Sequence, residues 1–308
     1  MPARGDIQNE IERLRGGAPD TVRRKHLKRL HKYTKRDGIV YITSFTSKKY
    51  PQMPGGLVSI SLDDIQGFMA SLHRLNGDNL DLILHSPGGS SEAAEQIVAY
   101  LRAKYRHIRV IIPQNGMSAA SMIACAADEI IMGKHSAIGP IDPQVTFPTP
   151  TGLFTAPAQS LLDEFEQAKQ EVTADPRTAP LWATKVQTVP HGVLKICQDT
   201  IARSKATVKQ WLEQYMFASD AKKVEKATEI SEWLGSAGEH KSHGRPITID
   251  MARDHGLKVT ALEDDDDLQE VVLSVFHSTM ATMELTTCIK VIENHNGRGW
   301  YINYHQKS

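Results

Sequence analysis

The chain has 308 residues, of which 40% are hydrophobic and 23% are charged, so it is long enough to enclose one large core. Its 36 basic and 36 acidic side chains cancel, which removes any global charge argument for binding nucleic acid or an anionic membrane surface. Three scattered cysteines and the lack of a long apolar run favour a soluble, unexported protein of the reducing cytoplasm, without disulfides or structural zinc.

A basic segment opens the chain. Residues 21–36 are rich in lysine and arginine and carry Leu27 and Leu30 at helical spacing. A basic helix of this kind could touch acidic partners or nucleic acid. The pattern favours instead a basic helical N-terminal arm, residues 1–37, that packs its leucines on a neighbouring subunit, with the main domain at residues 38–308.

From residue 38 onward, short apolar runs alternate with helical patterns. Strands are predicted at 38–43, 80–85, 108–113 and 129–132, and helices at 62–75, 91–105 and 117–127. This alternation indicates an α/β fold with a parallel core sheet flanked by helices. In such a fold, functional sites lie at the C-terminal ends of the strands.

The second half of the chain adds to that core. A loop rich in proline and threonine follows Val145, and a helical elaboration is predicted over residues 158–235, with helices at 158–173, 192–217 and 222–235. Four consecutive aspartates, residues 264–267, favour a helix N-terminus over a calcium site, because the EF-hand spacing is absent. A C-terminal hairpin is expected over residues 287–304.

Two neighbouring strand ends carry the residues that suggest chemistry. The first strand, residues 80–85, ends at Ser86-Pro87-Gly88-Gly89. Glycine adopts positive φ and lets a ligand approach its backbone closely. Gly88 and Gly89 can therefore present two N–H groups to an anion.

The second strand, residues 108–113, leads into Gly116-x-Ser118-x-Ala120. This order approximates a nucleophile elbow, in which a sharp turn lifts a serine hydroxyl and the next amide, here that of Ala119, faces the oxyanion. Preorganised donors of this kind contribute about 3 kcal/mol each to lowering the barrier. Taken alone, either a glycine turn or a serine at a helix start would indicate structure, not catalysis.

Three motifs together resemble the Clp-protease/crotonase superfamily: Ser86-Pro87-Gly88-Gly89, the serine motif about thirty residues later, and residues 136–144. The sequence is most similar to the serine dehydrogenase proteinase family, relatives of signal peptide peptidase A, and further landmarks at 205–212 and 244–257 extend the resemblance over most of the chain. The resemblance implies a Clp protease/crotonase-like fold and makes Ser118 the nucleophile in preference to Ser121.

The resemblance leaves the general base open. Signal peptide peptidase A uses a lysine about fifty residues after its serine, and Lys169 lies at the matching distance, although Glu166 one turn away would hold its charge on. The Clp peptidase uses a histidine and an aspartate. This chain has Asp142 at the position that matches the histidine and His243 at the position that matches the aspartate, so the two residue types are exchanged. His243 would then be the base and Asp142 its orienting carboxylate. Lys205 is a third candidate.

The sequence therefore predicts a serine endopeptidase that cleaves small or unfolded polypeptides through an acyl-enzyme on Ser118, uses no cofactor or metal, and forms a homo-oligomer. It has no Gly-x-x-x-x-Gly-Lys-Ser/Thr loop, so any unfolding would depend on a separate ATPase or adaptor. No membrane or nucleic-acid partner is expected. Two alternatives stay open: a crotonase-like acyl-CoA thioester enzyme, which would not need the serine hydroxyl, and a non-catalytic oligomeric scaffold.

Overall fold

The computed structural model describes residues 4–14, 19–51, 53–149 and 152–305. The eleven strands of these ranges are β1 (Asp37–Thr43), β2 (Asn79–His85), β3 (His107–Ile112), β4 (Asn115–Gly116), β5 (Glu129–Met132), β6 (Ala137–Ile138), β7 (Gln144–Thr149), β8 (Gly152–Pro157), β9 (Val259–Ala261), β10 (Cys288–Asn294) and β11 (Gly299–Asn303). Seven of them form one sheet in the order β11-β10-β1-β2-β3-β5-β9.

Twelve α-helices accompany these strands in the described ranges. They are α1 (Arg4–Arg13), α2 (Pro19–Thr34), α3 (Asp64–Leu72), α4 (Ser91–Lys104), α5 (Ala119–Cys125), α6 (Ala158–Ala174), α7 (Ala179–Val186), α8 (Val193–Trp211), α9 (Lys223–Leu234), α10 (Ala237–His240), α11 (Ile249–Asp254) and α12 (Asp266–Leu285).

The centre of the main sheet is parallel, as the sequence predicts. Strands β1, β2, β3, β5 and β9 run in parallel, and β10 pairs antiparallel with both β1 and β11. The four predicted core strands lie within one residue of the observed ones. The α/β fold class with a parallel core sheet is confirmed, and the expected C-terminal hairpin is β10–β11, which extends the sheet at one edge.

The central strands of the sheet are buried on both faces, so their side chains are mostly apolar. On β1, Ile39 and Tyr41 belong to the core on one face, together with side chains of α3, α4 and α5. Val40 and Ile42 belong to the core on the opposite face, which α2 and α12 cover.

The N-terminal helix differs from the expectation for Leu27 and Leu30. Both side chains are fully buried within their own chain, in the core formed with α12, so the prediction that they pack on a neighbouring subunit is wrong. Helical spacing shows which face of a helix is apolar, but the apolar surface that α12 offers lies about 240 residues away in sequence. The basic side chains Lys25 and Arg29 point to solvent on the other face of α2.

The segment after Val145 is a hairpin, β7–β8, where the sequence predicted a loop. Its prolines argue against a central strand, but a two-stranded ribbon has free edges that tolerate a missing N–H. Of the elaboration, α6 and α9 follow the predicted helices closely, and the long predicted helix is α8 continued by a π-helical turn at Leu212–Met216. The short helix α7 was not predicted.

The acidic run before α12 serves as a helix start. Asp265 is the N-cap, and its carboxylate accepts the Leu268 amide at 2.9 Å, while the next two aspartates lie in the first turn, where the helix dipole favours negative charge. None of the helices in the described ranges combines the length and the apolar character needed to cross a bilayer.

Candidate active site

The glycine corner after β2 and the serine corner after β4 touch each other. Gly88 and Gly89 adopt φ of 94° and 147°, values that other residues rarely take. A Cβ atom on Gly88 would lie 2.6 Å from both the Ser118 Cβ and the Met117 carbonyl oxygen. Only glycine therefore permits the contact, and the corner lies directly against the serine.

Ser118 sits on a strained turn. Its φ of 53° and ψ of −118° are unusual for a residue with a side chain, and such conformations cost about 1–3 kcal/mol. It is the residue just before α5, it is partly exposed, and its hydroxyl contacts no protein donor or acceptor in the described ranges. This is the geometry that a nucleophile elbow imposes.

Ser121, the serine not chosen as nucleophile, anchors the elbow from inside. Its side chain is fully buried, its hydroxyl donates to the Gly116 carbonyl at 2.7 Å, and it accepts the Gly139 amide at 2.8 Å. These bonds join β4 to the segment after β6. Ser121 thus supports the turn that carries Ser118.

Two backbone amides at the corner are free. The Gly88 amide donates to the Ser86 hydroxyl at 3.2 Å, so it is already occupied. The amides of Gly89 and Ala119 donate to no protein group in the part of the chain that the structure describes. Ala119 is the first residue of α5, where helix amides lack internal partners.

His243 and Asp142 form a hydrogen-bonded pair. The His243 Nδ1 lies 2.8 Å from an Asp142 carboxylate oxygen, with the aspartate side chain 4% exposed and the histidine side chain 28% exposed. Gln144 donates to the other oxygen of Asp142 at 2.9 Å. The carboxylate is thus positioned to orient the imidazole, as Asp orients His in a catalytic triad.

Backbone pairing explains why these two residues meet. Ile138 and Ile247 exchange both backbone hydrogen bonds as an antiparallel bridge, at 3.1 and 2.9 Å. Asp142 lies four residues after the first and His243 four residues before the second, so antiparallel register brings them opposite each other. The same segment touches the elbow, because a Cβ on Gly139 would lie 3.3 Å from the Cα of Met117.

The lysine candidates lie in different surroundings. Lys169, on α6, is 62% exposed on its side chain and pairs with Glu166 at 2.7 Å, as expected for a solvated helix lysine. Lys205, on α8, pairs with Glu232 at 2.5 Å. A lysine base needs burial among apolar groups to lose its proton near neutral pH, and each of these has a carboxylate beside it instead.

A histidine that the sequence analysis did not single out lies beneath the elbow. His85 ends β2, is fully buried, and its Nδ1 accepts the Asn115 amide at 3.2 Å. Burial lowers the pKa of His85 to about 3, so the ring is neutral, as its acceptor role requires. Its only sequence signal is a histidine at the end of an apolar strand.

One histidine and aspartate cluster in the described ranges, His31, Asp37 and His295, has potential metal ligands near one another. The two imidazole rings are stacked face to face, with centroids 3.8 Å apart and planes 2° from parallel. A metal lies in the plane of a ligating imidazole, and one ion cannot lie in two parallel planes at that separation. The cluster is a poor fit to a metal.

Comparison with known proteins finds relatives by sequence and by structure. Two uncharacterized proteins of Methanocaldococcus jannaschii, MJ0137 and MJ1495, are 32% identical to the chain over 204 and 203 residues, which is 65% of the chain in each case. The chain spans about six tenths of the length of these curated relatives, 60% and 59%.

Among solved structures, two mutant forms of the 1510-N membrane-bound stomatin-specific protease, one in complex with a substrate peptide, superpose with TM-scores of 0.40 and 0.41 at 16% identity. They cover 69% of this chain and 79% and 74% of their own. The family model described as ClpP-like SDH-type serine proteinase matches residues 21–280. The chain belongs to this family of ClpP-like serine proteinases.

Proposed function

We propose that the protein is a serine endopeptidase that acts through an acyl-enzyme on Ser118. The observation that carries the proposal is the contact between Gly88 and Ser118, which brings a strained serine and a glycine corner with a free amide to one point. A helix-capping serine would not need an unfavourable backbone conformation.

In the first step, the Ser118 Oγ attacks the peptide carbonyl carbon and His243 takes the hydroxyl proton. The amides of Gly89 and Ala119 hold the negative oxygen of the tetrahedral intermediate, and Gly88 provides the space that lets them converge. The C–N bond then breaks, and the histidine returns the proton to the leaving amine. Water, deprotonated by the same histidine, releases the acyl group and restores the serine.

The local chemistry favours His243 over Lys169 as the base. His243 carries a buried carboxylate partner at 2.8 Å on a segment paired beside the elbow, whereas Lys169 is exposed to solvent and lies beside the Glu166 carboxylate. Asp142 then acts as the group that orients the imidazole.

The substrate we propose is a small or unfolded polypeptide. A cleft of about 560 Å³ opens beside Gly89 and is lined by residues of β7 and of the start of α8. The sequence has no Gly-x-x-x-x-Gly-Lys-Ser/Thr loop for ATP-driven unfolding, so substrates would have to arrive as flexible chains. A separate ATPase or adaptor would then supply any unfolding.

We also propose that the chain assembles with copies of itself. The hairpin β7–β8 exposes Leu153 and Phe154, and α7 exposes Leu181, with 80%, 49% and 78% of each residue accessible. Large apolar side chains exposed together on one elaboration are typical of an association surface.

The experiment that tests the activity is intact-mass labelling with a fluorophosphonate. Wild type is compared with Ser118→Ala, His243→Ala and Lys169→Ala, and Ser160→Ala, at an exposed serine of α6, serves as the control for loss of a hydroxyl away from the site. We expect a single adduct on wild type and on Lys169→Ala, none on Ser118→Ala, and labelling slowed by about 10²-fold or more on His243→Ala.

Circular dichroism and size-exclusion chromatography would establish that each variant is folded. Absence of any adduct on folded wild type would contradict the peptidase proposal, and slowed labelling of Lys169→Ala alone would move the base to that lysine.

A further inference from the structure

A buried ion pair lies behind the glycine corner. Lys290 on β10 and Asp64 at the start of α3 are both fully buried, and the ammonium lies 2.8 Å from a carboxylate oxygen. Burial lowers the pKa of Lys290, and Asp64 opposes that shift. Because removing two charges from water offsets most of their attraction, such a pair adds little stability over an apolar pair of equal size. Its contacts indicate another role.

The pair fixes the backbone of residues 59–61. Lys290 also donates to the Ser59 carbonyl at 2.8 Å, and a carboxylate oxygen of Asp64 accepts the Ser61 amide at 2.9 Å. Ile60, between these two residues, is therefore held from both sides.

Ile60 in turn clamps the glycine corner. Its amide donates to the Gly88 carbonyl at 2.7 Å, and its carbonyl accepts the Ser90 amide at 2.9 Å. The fit is tight, since a Cβ on Gly89 would lie 2.3 Å from the Ile60 oxygen. With its neighbours on both sides bonded to Ile60, the Gly89 amide is turned away from this strand and left free.

Tyr41 adds a third group that holds the Asp64 carboxylate in place. Its hydroxyl donates to the same carboxylate oxygen that accepts the Ser61 amide, at 2.7 Å. Asp64 is therefore fixed by the Lys290 ammonium, by a backbone amide and by a buried hydroxyl.

We infer that the Lys290–Asp64 pair is a positioning device for the oxyanion corner. It holds the Gly88–Ser90 backbone through Ile60, and so sets the direction in which the Gly89 amide points. Neither charged residue touches substrate. The inference rests on the proposed function for its catalytic consequence, but the positioning itself is a property of the fold.

The test compares two buried ion pairs that each have one member on β10. The double variant Lys290→Met/Asp64→Asn removes both charges together and leaves an acceptor for Tyr41 and Ser61. The control, Arg23→Met/Glu293→Gln, removes a pair that is also fully buried and joins α2 to β10, with Nε and carboxylate oxygen 2.7 Å apart.

Two measurements are made on the full chain. Hydrogen exchange reports the Gly88 and Ser90 amides, and turnover of fluorescently labelled β-casein gives kcat and KM. In the positioning variant we expect exchange at these amides to rise about 10-fold or more and kcat to fall about 10- to 100-fold at nearly constant KM, since a misplaced oxyanion donor acts in the transition state.

The control pair should lower thermal stability while leaving corner exchange and kcat within about 2-fold of wild type. Tyr41→Phe removes one of the donors to Asp64 and retains both charges, so it tests the support of the carboxylate if the double variant does not fold, with an expected loss of about 10-fold in kcat.

Unchanged exchange at Gly88 and Ser90 in both Tyr41→Phe and the double variant would overturn the inference. Equal effects in the control pair would also overturn it, because the loss would then be general destabilisation. If wild type shows no turnover that depends on Ser118, the proposed function fails, and exchange alone still decides whether the ion pair holds the corner.

Discussion

The two halves of the proposed catalytic machinery are held in different ways. The nucleophile half, around Gly88 and Ser118, is fixed by buried serines, by strand-like bonds to Ile60 and by steric contact that only glycine allows. The base half rests on one backbone bridge, and His243 is 28% exposed on its side chain. The fold thus determines the oxyanion corner rigidly, while the base depends on one hydrogen bond for its orientation.

The largest effect is expected from breaking that hydrogen bond. Asp142→Asn removes the negative charge and lets an amide donate where a carboxylate accepted, which favours the wrong imidazole tautomer. We expect kcat for labelled β-casein to fall about 10³- to 10⁴-fold. Asp163→Asn, on the exposed face of α6, is the control, and activity within 2-fold of wild type in Asp142→Asn would remove Asp142 from the mechanism.

The next largest effect is expected from adding a methyl group at the glycine corner of the nucleophile half. Gly88→Ala places a methyl group 2.6 Å from the Ser118 Cβ and the Met117 oxygen, at a φ of 94°, so the two corners must separate. We expect fluorophosphonate labelling to slow by about 10²-fold, comparable to losing an oxyanion donor.

Gly56→Ala is the matched control for this substitution, since its added methyl group meets no atom within 4 Å. Normal labelling of a folded Gly88→Ala variant would show that the corner does not need the close contact.

A smaller effect concerns stability below neutral pH. The folded pKa of His85, about 3, is below its ordinary value of 6.5, so the unfolded chain binds a proton that the folded chain excludes. The contribution of His85 is therefore present above pH 6.5 and is lost as pH falls from 6.5 towards 3. It amounts to about 2 kcal/mol between pH 6.5 and 5.

Urea unfolding of wild type and His85→Asn at several pH values measures this contribution. The asparagine oxygen can accept the Asn115 amide in place of Nδ1 and does not titrate, so other histidines cancel in the difference. If the free energies of unfolding of the two proteins change with pH in parallel, the lowered pKa of His85 is contradicted.

The smallest effect is expected at Lys169. Because its ammonium is exposed and paired with Glu166, Lys169→Ala should leave kcat/KM for labelled β-casein within about 2-fold of wild type. Glu166→Ala is the matched control. A fall in kcat/KM of about 10²-fold that is confined to Lys169→Ala would identify Lys169, and not His243, as the general base.

Local patterns predicted the core of the fold well. Short apolar runs place four strands within one residue, because burial on both faces leaves an unambiguous signal. The hairpin β7–β8 was not predicted, because its prolines are typical of a loop. The partner of Leu27 and Leu30 also could not be predicted, because amphipathicity identifies a face and not what covers it.

The residues of the site also differ in how far the sequence could predict them. Ser118 and the glycines are contiguous motifs, so sequence order alone suggests them. Asp142 and His243 were named through a resemblance, and their pairing depends on a backbone register that joins segments 101 residues apart. The Lys290–Asp64 pair spans 226 residues, and neither residue stands out in its own strand or helix.

The segment that follows Asp142, from β7 to the first part of α8, has a consequence for how this chain can diversify. The chain leaves the core at that residue and returns at Ser204, whose hydroxyl donates to the Ile141 carbonyl at 2.9 Å. Departure and return points are thus neighbours, and closing a longer loop between them costs only about 0.6 kcal/mol per doubling of length. Residues 145–203 therefore form an exchangeable cassette, which can be lengthened, shortened or replaced to change what reaches the serine while the reacting groups stay in place.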